Sequence, residues 1–167
     1  MIEQKKVRDI FEAQIIEGYC RRMDIVVHYL AIENYYGKND FGFDLCLKVH
    51  DKRTRGRFAR SVRRIEGFKR LVSKTTKENF NTKKYPLEIN FGIMDIVQGA
   101  HRMAFALYFG IDTVYARNVR KRKRRVDFGW KWFEKKGFDQ SVIDILLNKK
   151  QLIMDGFENG MESIKSN

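Results

Sequence analysis

Gln98-Gly99-Ala100-His101-Arg102 is the stretch of this chain whose residue types and spacing suit phosphate chemistry. It lies between the apolar run Ile93-Met94-Asp95-Ile96-Val97 and a helical pattern from Met103 to Phe109. A strand that ends in glycine and opens into a helix turns unpaired backbone N–H groups, and the positive end of the helix dipole, toward whatever sits there. His101 and Arg102 in that first turn work against the dipole by a few tenths to about 1 kcal/mol, and a bound anion reverses the sign. Arg102 brings a rigid fork of donors suited to phosphate or carboxylate, and His101 can donate one bond and carry a proton. The competing reading of the same residues is a strand-to-helix junction with a surface arginine that binds nothing.

The elements that must position these residues read as a strand, a helix and a strand. Small and apolar residues over 103–109 predict a short helix stopped by Gly110, and the run over 111–115 predicts a strand. Upstream, Pro86-Leu87-Glu88-Ile89 leads into the unit, with Asn90-Phe91-Gly92 as a turn between two short strands.

This pattern, with Gly99-Ala100-His101-Arg102 at its centre and Gly110-Ile111 before the closing strand, resembles the ParB/sulfiredoxin-like superfamily over about residues 57–119. Its members include chromosome-partition CTPases, sulfiredoxin and a free serine kinase. The resemblance implies a nucleotide (ATP, ADP or CTP) with its phosphates on Gln98, Gly99, Ala100, His101 and Arg102. Two positions depart from the family. Many relatives carry Asp before the glycine, where this chain has uncharged Gln98, which weakens the expectation of a magnesium ion held there. Sulfiredoxin has a reactive cysteine where this chain has Ala100, so sulfinic acid reduction is excluded. In the serine kinase a glutamate from the segment before the core is the catalytic base, and Glu33 holds the corresponding place in chain order.

Composition bounds the rest. The chain has 167 residues, 43% hydrophobic and 13% aromatic, which is the make-up of one folded domain. No apolar stretch is long enough to span a bilayer and the first residues lack the apolar core of a signal peptide, so a cytoplasmic protein is expected. Cys20 and Cys46 show no zinc spacing and read as plain thiols in helices. His28 and His50 show no ligand spacing either, and read as helix-surface or partly buried residues. A net charge of +13 attracts polyanions without naming one, so nucleic acid, anionic lipid, nucleotides and phosphorylated glycans all qualify.

Periodicity predicts helices over 7–19 and 24–36, and a third capped by Asn39 and running to His50. The polar and aromatic mixture over 31–42 reads as a functional loop. A basic helix follows within 52–74, with Phe58, Val62, Ile65 and Val72 as its core stripe and Arg57, Arg60 and Arg64 on a neighbouring face. The run over 117–125, including Arg120 and Arg122, is the densest in positive charge and could contact phosphates from a strand or a loop. Trp130, Trp132 and Phe133 read as core, a final helix starts at Asp139, and residues 156–167 read as a frayed end.

The expected fold is therefore α+β, a small mixed β-sheet with a strand-helix-strand core and flanking helices, in a single domain over 1–167. Within it, 1–50 is a helical addition and 120–155 carries the basic segment and last helices. The leading functional expectation is a nucleotide-dependent phosphotransferase, with Glu33 or Asp95 deprotonating an acceptor hydroxyl and His101 at the phosphates. Segments 31–42, 98–110 and 128–138 are similar to small ParB-like proteins that accompany bacterial surface-glycan assembly, which implies a sugar or sugar-linked acceptor. Two alternatives stand beside it: a nucleic-acid-binding protein or nuclease, and a nucleotide-binding module without catalysis.

Overall fold

A computed structural model describes residues 1–120 and 127–159. Its strands are β1 (Ile2–Lys6), β2 (Ile15–Ile16), β3 (Tyr19–Cys20), β4 (Leu87–Asn90), β5 (Asp95–Gln98) and β6 (Thr113–Asn118). Its helices are α1 (Val7–Glu12), α2 (Met23–Tyr35), α3 (Gly42–Arg53), α4 (Phe58–Lys74), α5 (Ala100–Tyr108), α6 (Trp130–Lys135) and α7 (Gln140–Glu158). The fold is α+β. Four strands form one mixed sheet in the order β1-β6-β4-β5, parallel between β6 and β4 and antiparallel elsewhere, and helices flank it. None of the described helices is long and apolar enough to cross a membrane.

The helix α2 is apolar on nearly every side and buries almost its whole length, so it forms the centre of the molecule rather than a surface stripe. α5 packs along it, and α3, α4 and α7 cover its other faces. Where α2 meets α3 the backbones nearly touch: a Cβ on Gly42 would stand 2.2 Å from the Leu30 carbonyl oxygen. The turn between them is stapled by amides. Asn39 Oδ1 accepts from the N–H groups of Phe41 and Gly42, and Asn34 Oδ1 accepts from that of Phe43. The polar segment expected to be a functional loop thus supplies the capping of α3, with Asn39 acting from just outside the helix. Gly42→Ala is expected to lower stability by about 1–3 kcal/mol, the usual penalty of forced overpacking, and chemical denaturation of that variant checks it.

Several boundaries differ from the sequence expectation, each for a local reason. The expected first helix ends at Glu12, because Glu17 and Gly18 adopt φ of 50° and 78° and turn a hairpin between β2 and β3. Cys20 therefore lies in a strand, not a helix, and both cysteines are free and buried. β5 starts two residues late, since Met94 takes φ of 52° and belongs to the turn from β4. α7 continues through Glu158 with Ile153 and Gly156 buried, where a frayed end from 156 was expected. Phe58 is 59% exposed, and α4 instead buries Ser61, Ile65, Phe68 and Val72. Rotating the helix this way brings small Ser61 against His50 and Thr54, where a larger apolar residue was expected to lead the stripe. Trp132 and Phe133 pack against Phe138, as core residues do.

Candidate anion-binding site

β5 delivers the chain to Gly99, whose φ of 122° is open to glycine and strained for other residues, and α5 begins at the next residue. Leu87 of β4 lies beneath, so that a Cβ at Gly99 would meet its Cγ at 3.1 Å. No side chain caps this helix start and no acidic residue occupies its first turn. Its free N–H groups face a cavity of about 480 Å³ lined by Gln98, Gly99, Ala100, His101 and Arg102.

The opposite wall comes from the helices before the core. Arg22 and Asp24 stand at the start of α2, His28 one turn further on, His50 and Arg53 at the end of α3, and Arg60 and Arg64 on α4. Asp24 is buried and held by the Arg22 guanidinium through two bonds, 2.9 Å to Oδ1 and 3.0 Å to Oδ2, with Arg53 at 3.9 Å. Burial alone would raise its pKa, but the Arg22 and Arg53 guanidinium groups hold it below the ordinary carboxylate value. The carboxylate thus stays ionised and engaged. Five guanidinium groups line the cavity (Arg22, Arg53, Arg60, Arg64 and Arg102) against the single carboxylate of Asp24.

The histidines form a second layer. His101 Nε2 lies 3.0 Å from His28 Nε2, and the His101 ring stacks on Phe68 with centroids 4.3 Å apart. Burial, reinforced by neighbouring arginines, pushes His101 down to about 4 and His28 well below its ordinary value. Both rings are therefore neutral at neutral pH, and one of the facing nitrogens must carry the shared proton. His28 Nδ1 is buried without a partner. An unmet lone pair is cheaper to bury than an unmet N–H, which assigns the proton to His28 Nε2 and makes His101 Nε2 its acceptor. His101 then carries its own hydrogen on Nδ1. His50 is set differently: its Nδ1 pairs with Ser61 Oγ at 3.0 Å, and its Nε2 has no hydrogen bond among the described residues.

Arg102 divides its work. Its Nη1 donates to the carbonyl oxygens of Tyr85, at 2.9 Å, and Pro86, tying α5 to the entry of β4. The rest of its fork makes no hydrogen bond among the described residues.

The structure thus gathers Gln98 through Arg102, Arg60 and Arg64 around one cavity, and separates the other expected residues from it. Glu33 lies on α2 away from the cavity, buried and paired with Lys149 of α7 at 2.9 Å. Asp95 sits at the other end of β5 from Gln98 and does not line the cavity. Neither expected base touches the space around His101, because chain order says nothing of which helix face a residue occupies. Arg57 lines a shallower adjoining trough, Arg120 is exposed just beyond β6, and Arg122 lies outside the described residues. Sequence reasoning missed Arg22, Asp24, His28, His50 and Arg53 as site residues. The four-residue spacing of Asp24 and His28, which puts both on one face of α2, was the available signal.

No protein-family model, curated protein or solved structure matches this chain.

Proposed function

We propose that this chain is a nucleotide-dependent phosphotransferase of the ParB/sulfiredoxin-like kind, with the nucleotide's phosphates in the cavity at the start of α5. The observation that carries the reading is the convergence of five guanidinium groups with an uncapped helix N-terminus around one cavity. Such an excess of fixed positive charge matches a di- or triphosphate, whose anionic oxygens are stabilised by preorganised donors rather than by reorganising water. The neutral His101 adds a donor through Nδ1 without further charge. The sole carboxylate of the lining, Asp24, is already held by Arg22 and Arg53, so these residues do not fit a magnesium ion ligated by protein. In this reading magnesium arrives on the phosphates.

The acceptor is a sugar or sugar-linked hydroxyl. Its oxygen bonds to the terminal phosphorus, the bond from that phosphorus to the bridging oxygen breaks, and the nucleoside diphosphate leaves. The hydroxyl proton passes to a base at the wall of the cavity. Glu33 and Asp95 lie elsewhere, and His50, neutral and with Nε2 unpartnered, takes that role. A cytoplasmic setting, where nucleoside triphosphates are abundant, accords with this activity.

Arg60 and Arg64 are exposed at the cavity and make no ion pair among the described residues, so they can be replaced without unfolding the chain. Calorimetric titration with ATP, ADP and CTP is expected to show binding to the wild type for one of them. Arg60→Ala and Arg64→Ala are each expected to weaken it about tenfold, the loss of one charged hydrogen bond. Equal affinity in the wild type and both variants, or no binding to the wild type at millimolar nucleotide, refutes the reading.

A further inference from the structure

Beside the nucleotide cavity runs a second concavity of about 520 Å³, lined by Arg53, Thr54, Arg55, Arg57 and Arg60. Arg53, Thr54 and Arg60 line both spaces, so the two are continuous. Every residue of the trough except Thr54 is an arginine. Arg55, Arg57 and Arg60, together with Arg64 next to them, make no ion pair and no side-chain hydrogen bond among the described residues. Guanidinium groups left unpaired in a row repel one another, and a chain of spaced anions relieves that repulsion along its whole length.

At the same place α4 begins with Phe58, 59% exposed, although the other phenylalanine of this helix, Phe68, is buried. Phe58 lies outside the hydrophobic core, with most of its ring in water next to unpaired arginines. Successive bases stack on such a ring while their phosphates follow a basic groove.

We propose that the trough from Arg55 to Arg60 binds single-stranded polynucleotide, with its backbone on the arginines and a base on Phe58. The strand leads from the trough into the cavity, which places its terminal sugar hydroxyl beside the nucleotide phosphates. That last step, which makes the strand the sugar-linked acceptor, rests on the phosphotransferase reading, and binding of the strand in the trough does not. A single strand fits better than a duplex because the bases must be free to stack.

Fluorescence anisotropy with a labelled oligo-dT of about twelve nucleotides tests this, using the wild type, an Arg55→Glu/Arg57→Glu double variant and Phe58→Ala. All three positions are on the surface. The double variant is expected to bind at least tenfold more weakly, with a salt dependence less steep by about 1.4 in the logarithmic slope for two lost phosphate contacts. Phe58→Ala is expected to lose about tenfold, the contribution of one stacked base. Affinities within twofold of the wild type in both variants overturn the proposal. So does equal affinity for a duplex of the same length or for inorganic tripolyphosphate, which would mark the trough as a general anion surface. ATP titration of the same variants separates the two readings: loss of the oligonucleotide with ATP affinity kept supports the trough as a site of its own. Oligonucleotide binding in a wild type that binds no nucleotide leaves the trough standing and removes the phosphotransferase.

Discussion

Asp24→Ala is expected to lower the unfolding free energy by about 3–5 kcal/mol, the usual consequence of removing one partner of a buried ion pair. Arg22 is 5% exposed, and without the carboxylate its guanidinium would remain in the interior with only the Ile96 carbonyl as acceptor. For a chain of this size each kcal/mol corresponds to about 2–4 °C, so a fall in melting temperature on the order of 10 °C follows. Replacing both partners by apolar residues of similar volume should recover much of the loss, since neither charge is then stranded. Urea unfolding of the single and double variants makes the comparison. A single variant within about 1 kcal/mol of the wild type would mean that Arg22 finds water instead, contrary to its burial. The same pair also explains why the cavity tolerates so many cations: Asp24 holds Arg22 in place, and its field reaches Arg53.

The second large effect is loss of stability in mild acid. In the unfolded chain His101 takes up its proton near pH 6.5, and in the folded chain burial delays this to about pH 4. Between these values the unfolded state binds more protons, so stability falls as pH falls. The contribution is fully present above about pH 6.5, and about 3 kcal/mol from His101 alone has gone by pH 4. His28 acts in the same direction because its ring is still more deeply buried. Asp24, whose carboxyl is held below its ordinary value, adds acid sensitivity only at lower pH. Urea midpoints measured from pH 7.5 to pH 4.5 should therefore decline in the wild type and decline less in His101→Gln, by the His101 share, while the part that His28 contributes remains. A flat wild-type profile over that range would show that the two rings are charged or hydrated in the native protein.

The strand-helix-strand unit was legible because its signals are local. Gly99 and Gly110 bracket α5, and the residues between them follow one helical period. Of the site, that unit supplied Gln98 through Arg102, and the charge pattern of α4 supplied Arg60 and Arg64. The remaining wall was not legible. His28 and His101 are 73 residues apart in sequence, and only the packing of α5 on α2 brings them to 3.0 Å. Phe58 fits the apolar period of α4 as well as Phe68 does, and only the packing of α4 on α3 and α2 decides which side turns inward. The hairpin at Glu17–Gly18 was masked in a similar way, because Ile15 continues a helical spacing that the glycine then breaks. Glu33 was placed by order along the chain, and a helix rotates successive residues through about 100°, so order alone cannot choose its partner.

Cys20 and Cys46 give the molecule a reporter of its own opening. Burial pushes the first thiol to about 11 and the second to about 12, so neither offers an appreciable thiolate at neutral pH while the chain is folded. One belongs to the small hairpin that Gly129 closes over, the other to the helix that carries His50. Alkylation followed separately at the two sulfurs then times how often each half breathes, and a nucleotide seated between α3 and α5 would slow the clock at Cys46 more than at Cys20.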